Sequence, residues 1–174
     1  MENKDSLLKF TMKIGAFLGL ALIIYALLLY AFGMDANEFP NMLYLLMILA
    51  IFLGTKRYRD TVMNGFISYP QALKTGTLIA LFSAFIYTFY TYVFFKFIDP
   101  SQLESMINQV EMNFETSGYT EEQTKVMMQL TGKFMNGFLF FTGIFSHTFL
   151  GFIFSLIISI FLKKENTSLD THQN

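Results

Sequence analysis

The chain has no cysteine, no tryptophan and only three prolines in 174 residues. Without thiols there is no disulfide, no thiolate metal site and no cysteine nucleophile, and redox compartment cannot be read. Without tryptophan, tyrosine alone must serve at a membrane–water boundary. Charge is scarce as well. Asp, Glu, Lys and Arg make up 14% of the residues, against about 25% in soluble domains. No basic block resembles a nucleic-acid patch, so no nucleic-acid partner is expected. The most informative lack is local: the runs 14–34, 40–55, 75–95 and 134–162 contain no Asp, Glu, Lys or Arg at all.

What fills those runs is apolar. Hydrophobic residues are 53% of the chain, with 22 Phe and 11 Met. A helix needs about 20 mostly apolar residues to cross a bilayer. Three of the runs meet that length, and the second reaches it with little to spare. The expectation is an all-α membrane protein, a single four-helix transmembrane domain over 1–174. Its spans are predicted at about 14–34, 39–55, 70–96 and 132–162, with an outer helical loop at 99–131 and a disordered tail at 165–174. The first run is too long for a signal-peptide core of about 7–15 residues, so it is read as a retained span.

Lys and Arg in short flanks orient such a chain. Lys4, Lys9, Lys13, Lys56, Arg57, Arg59, Lys74, Lys163 and Lys164 fall on one side, against Lys96, Lys125 and Lys133 on the other. The predicted arrangement is two hairpins that both open outward, with both termini cytoplasmic. Because both hairpins point one way, the chain is no inverted repeat.

The connections carry start and stop signals. Asn64-Gly65 reads as a turn. Ser68-Tyr69-Pro70-Gln71 reads as a helix start, with Ser68 as cap and Gln71 three residues on. Asp99-Pro100 repeats that logic, with proline in the first turn. Leu103, Met106, Ile107, Val110 and Phe114 then recur at helical spacing opposite Glu104, Asn108, Glu111 and Glu115, which makes an amphipathic helix. Thr120-Glu121-Glu122-Gln123 starts the next helix. Its stripe of Val126, Met127, Leu130 and Phe134 runs into the fourth span without a strong breaker, so one helix is predicted from Thr120 to about Leu162.

The segment Lys56-Arg57-Tyr58-Arg59-Asp60, followed by Asn64 through Gly76, together with the corner Ile98-Asp99-Pro100, resembles bacterial four-span inner-membrane proteins catalogued as domain of unknown function 4199. The resemblance covers nearly the whole chain in length, span spacing and acidic outer loop. It implies a four-helix protein of the bacterial inner (cytoplasmic) membrane. It supplies no activity, ligand or catalytic residue.

His147 is the candidate for chemistry, because an ionisable group in mid-span is costly. With Ser146 and Thr148 it forms a candidate intramembrane polar site. The bland alternative is an imidazole hydrogen-bonded to a neighbouring helix. No span holds a carboxylate to act as a relay, and no second intramembrane His or Cys completes a metal set. No cofactor is expected.

Small residues recur near His147. Gly143, Gly151, Ser155 and Ser159 follow a four-residue rhythm, and Gly76, Ala80, Ala84 and Thr88 repeat it on the third span. Gly15 and Gly19 do so on the first. That spacing lets backbones approach where lipid removes the hydrophobic incentive to associate. The Gly143/Gly151 face is expected to meet the third span through Ala80 and Ala84.

Three function classes remain. The first is a non-enzymatic scaffold or accessory subunit that lives in the lipid bilayer, with the outer helices contacting a membrane-protein partner or a second copy. The second is an oligomeric transporter or channel subunit for a small solute or ion. The third, an intramembrane enzyme, lacks an acid, a base pair or a metal set within the spans.

Overall fold

The computed structural model describes residues 4–34 and 40–164. The predicted tail at 165–174 and most of the first outer loop lie outside those residues. Among these described residues five α-helices follow one another: α1 Lys4–Ala31, α2 Pro40–Thr61, α3 Tyr69–Val93, α4 Pro100–Thr116 and α5 Glu121–Leu162. A π-turn over Phe94–Ile98 follows α3. The described residues contain no strand beyond an isolated antiparallel bridge between Ile67 and Lys164.

The start signals act as the side-chain chemistry requires. The Gln71 Oε1 accepts from the Ser68 N–H at 2.9 Å. At α5 the capping box is complete: the Thr120 N–H donates to Gln123 Oε1 at 3.0 Å, and the Gln123 N–H donates to Thr120 Oγ1 at 3.3 Å. Asp99 acts differently, since its carboxylate accepts from the Ser101 hydroxyl and from Gln102 Nε2. Between α2 and α3, Asn64 and Gly65 both take positive φ, 52° and 87°. The turn signal there is therefore a backbone requirement, which Gly meets at no steric cost.

Among the described residues three helices are long and apolar enough to cross a membrane: Asp5–Ala31, Tyr69–Ile98 and Gly137–Leu162. The apolar part of α2 is shorter, because the helix closes on Lys56, Arg57 and Arg59.

The chain divides into two compact units, Met1–Tyr87 with Phe145–Asn174, and Thr88–Ile144. The first unit packs parts of α1, α2, α3 and α5 around Leu18, Leu22, Met47, Ile51, Ile79 and Ile158. Its polarity is inverted relative to a soluble domain. Thr11, Thr55, Thr75, Ser83, Ser155 and Ser159 are buried, while Phe17, Ile24, Leu53, Phe85, Ile157 and Phe161 are exposed. In water that arrangement would waste about 25 cal/mol per Å² of apolar surface left wet. In hydrocarbon it is the favourable one, because every polar group must be satisfied inside. The fold is thus that of a membrane protein.

At one end of this unit Leu7 of α1, Tyr58 of α2, Ile67 of the α2–α3 connection and Ala72 of α3 share a second buried cluster. Phe10 packs on Tyr58 with ring centroids 5.2 Å apart. The Ile67–Lys164 bridge, with N···O distances of 2.9 and 2.8 Å, ties the α2–α3 connection to the end of α5. Arg59 adds a bond to the Leu162 carbonyl at 3.4 Å. The basic residues at 56–59, 74 and 163–164 are therefore gathered at one end. There the Arg59 Nε donates to Asp60 at 2.7 Å and holds that carboxyl below the usual carboxylate range.

The second unit holds the rest of α3, the π-turn, α4 and the first part of α5. Phe94 and Met135 are its buried apolar residues. Phe114 and Tyr119 meet edge to face at 5.4 Å across the turn between α4 and α5.

Candidate functional site

Hydroxyls in the first unit are mostly spent on their own helices. Thr11 donates to the Leu7 carbonyl, Thr75 to Gln71 and Thr77 to Leu73, each at 2.8 Å, and Ser155 donates to Gly151 at 2.7 Å. Such back-bonding satisfies a hydroxyl locally. Thr55, Thr148 and Ser159 differ: their buried side-chain oxygens have no hydrogen-bond partner among the described residues.

His147 lies across from α3. Its Nε2 is 3.2 Å from Ser83 Oγ, and its ring sits 6.0 Å from that of Tyr87. Ser83 also donates its single proton to the Ala80 carbonyl at 2.8 Å. The Ser83 oxygen can then only accept from the imidazole. This assigns the proton to Nε2 and leaves Nδ1 as an acceptor. Of the two neighbours grouped with His147 by sequence, Ser146 is exposed and Thr148 half-buried. Neither bonds the imidazole, whose hydrogen bond is with Ser83. Ser83 lies three residues after Ala80 on α3.

The glycines set how closely these helices approach. A Cβ on Gly151 would overlap that of Ala80, and one on Gly76 would lie 2.5 Å from Ser155 Oγ and 2.9 Å from Ile51. On α1, a Cβ at Gly15 would fall 2.6 Å from the Phe82 Cβ and 2.8 Å from the Ile79 carbonyl oxygen, and one at Gly19 would meet Ile86 at 2.8 Å. Ala80 and Ala84 are fully buried. In the second unit Gly143 faces Thr88, with 3.0 Å to its methyl. Gly54 of α2 is a close contact as well, since a Cβ there would meet Ile79 of α3 at 2.7 Å.

Among the described residues no three His, Asp or Glu side chains group to hold a metal. In the second unit, a small pocket of 20 Å³ lies between Thr88, Tyr92 and Phe140, about one water's worth of room. A wide cleft of 820 Å³ opens between Glu111 of α4 and Glu121, Lys125 and Gln129 of α5.

The arrangement around His147 suits a structural hydrogen bond. Interhelical bonds in membranes contribute roughly 0.6 kcal/mol on average. His147→Gln should therefore melt close to wild type in detergent, because an amide can still donate to Ser83. His147→Leu should lose at most about 1–2 kcal/mol, since Ser83 keeps its bond to Ala80. Failure of the Gln variant to complement a gene deletion, at unchanged expression and melting, would instead mark the imidazole as functional.

No curated protein and no solved structure matches the chain. Residues 13–164 match the family described as protein of unknown function DUF4199, and with most of its length inside that match, the chain belongs to this family.

Proposed function

We propose that the protein is a non-enzymatic, four-span protein of the bacterial inner membrane that serves as a scaffold or accessory subunit through its outer helices. The observation that carries the contact role is the exposed stripe of Val126, Met127, Leu130 and Phe134 on α5, which precedes the Gly137–Leu162 span. A stripe of large apolar side chains beyond the lipid is a contact surface by its physics.

The four-span reading rests on α2. Its middle is apolar outward, with Leu45, Leu49 and Leu53 exposed, and apolar inward, with Met47 and Ile51 buried. Leu7 and Tyr58 share one cluster, which supports α1 and α2 running antiparallel over the same thickness. The positive residues at that end favour the cytoplasmic side.

A runner-up reading, a small-solute or ion transporter subunit, is favoured by His147 and by the partnerless Thr55, Thr148 and Ser159 hydroxyls. The His147 variants separate it from the scaffold reading.

The contact role is tested by mild amine crosslinking in native membranes followed by purification. The wild type should be recovered in a species larger than one chain. Leu130→Glu combined with Phe134→Glu should run as a single chain with unchanged melting. A wild type recovered only as single chains would sink the contact role.

A further inference from the structure

Cations from α2 and from the end of α5 meet at one corner of the first unit. Lys56 and Arg57 are exposed on α2, and Lys163 and Lys164 are exposed just past α5. Two ties bring them together. The Ile67–Lys164 bridge fixes Lys164 through its main chain, and the Lys164 Nζ rests 5.6 Å from the centre of the Phe66 ring. Arg59 reaches from α2 to the Leu162 carbonyl. The Asp60 carboxylate lies in their midst. The bond from Arg59 is the main cause of its lowered pKa, and the positive fields of Arg59, Lys56 and Lys164 add to it. Even with Glu165, the next residue in sequence, two carboxylates face the five cations Lys56, Arg57, Arg59, Lys163 and Lys164.

Each helix leads to this corner along an exposed apolar stripe. On α2, Leu45, Leu49 and Leu53 are exposed, and Lys56 and Arg57 continue their face by helical spacing. On α5, Ile153, Ile157 and Phe161 are exposed, and Lys164 follows Phe161 in the chain by three residues. The two helices pack side by side, with Met47 and Ile51 in one core with Ile158 and Leu162. Hydrocarbon-facing surface thus runs along both helices and stops at a shared positive charge. A free anion or an acidic soluble segment has no use for the apolar approach. A phospholipid has that same division, acyl chains first and a phosphate at their end. Orientation by positive charge requires only that cations lie on one side. It does not require two helices to hold them at one spot.

We infer that this corner of α2 and α5 is a binding site for an anionic phospholipid, with Lys56, Arg59 and Lys164 on its phosphate and the two stripes along its acyl chains. The inference rests on α2 crossing the membrane and is independent of the contact role of the outer helices. Basic clusters at the cytoplasmic ends of spans hold anionic headgroups by charge, and the planar guanidinium of Arg59 suits phosphate oxygens. In this site Asp60 is a competitor. It accepts from the Arg59 Nε, a donor that a phosphate oxygen would otherwise take, so its carboxylate weakens the hold on the lipid.

The test titrates the purified full chain in detergent with dioleoyl phosphatidylglycerol or dioleoyl phosphatidylcholine and counts bound lipid by native mass spectrometry. The wild type should bind the anionic lipid at a lower half-saturating concentration than the zwitterionic one. Lys56→Gln combined with Lys164→Gln should weaken binding of the anionic lipid at least about fivefold. Melting without lipid should stay at the wild-type value, because the Lys164 bridge is made by the main chain. Lys9→Gln combined with Lys13→Gln removes the same charge from α1 and should leave binding unchanged. Asp60→Asn should tighten it, a gain that a merely structural role for these residues would not produce. Equal binding of the two lipids by the wild type overturns the site. Equal weakening by the α1 pair reduces it to general surface charge and overturns it too, as does an Asp60→Asn variant that binds no more tightly. Inorganic phosphate or polyglutamate displacing the anionic lipid at equal charge overturns the lipid as occupant. Whether α2 crosses the membrane is read separately by thiol labelling from either side, so a failed lipid preference and a failed topology are distinguishable.

Discussion

Gly151→Leu is expected to abolish stable folding in mild detergent, and Gly151→Ala to lower the melting temperature. Alanine at a helical glycine gains about 1 kcal/mol in helix propensity. Against that stands a Cβ overlapping the Ala80 Cβ. Both atoms are fixed to their backbones, so no rotamer change relieves them and the helices must part. Overpacking costs about 1–3 kcal/mol in soluble cores. Here the displaced helices also share the Gly76–Ser155–Ile51 contact, so the cost outweighs the propensity gain. The geometry supplies its own rescue. With Ala80→Gly in the same chain, the nearest atoms to the new Cβ become the residue-80 Cα at 3.5 Å and Ile51 Cδ1 at 3.7 Å, which is ordinary contact. The pair Gly151→Ala/Ala80→Gly should therefore melt above Gly151→Ala alone. An additive double variant would mean that the two residues do not touch.

The second large effect is at Gly15, and it should resist rescue. An alanine Cβ there would lie 2.8 Å from the Ile79 carbonyl oxygen and 3.2 Å from the Ser83 nitrogen, as well as 2.6 Å from the Phe82 Cβ. Two of those three atoms are backbone. Trimming Phe82 to glycine removes only the third. Gly15→Ala should lower the melting temperature by an amount comparable to Gly151→Ala, again about 1–3 kcal/mol, and Phe82→Gly should leave the loss in place. A Gly15→Ala variant as stable as wild type would show that α1 and α3 are not in backbone contact at this level.

These two sites mark how much could be read from the residues. Gly15, Gly19, Gly76 and Gly151 stood out because their spacing follows the helical turn and lipid leaves few other reasons for glycine at that rhythm. The helix starts at Ser68 and Thr120 were equally legible, since a cap is a local device. What needed the structure was rotation and register between helices. Ser83 meets His147 from 64 positions away, and nothing in either segment's spacing selects that serine over other hydroxyls. Thr11 and Thr55 are both fully buried, and no spacing in the sequence marks either. The Ile67–Lys164 bridge joins a turn residue to a helix end, a pairing for which the sequence carries no pattern. The exposure of the α5 stripe was likewise hidden, because periodicity identifies an apolar face but not what covers it.

The central claim is that α2 crosses the membrane, so that the start of α1 and the end of α2 share a side while the α4–α5 turn lies opposite. Single cysteines at Ser6, Thr61 and Ser117 in the cysteine-free chain test it with a membrane-impermeant maleimide. In intact cells with a permeable outer envelope, four spans require Ser117→Cys to label at once, and Ser6→Cys and Thr61→Cys to label only after the inner membrane is opened. If Ser6→Cys and Thr61→Cys label from opposite sides, α2 does not cross and the four-span bundle is wrong.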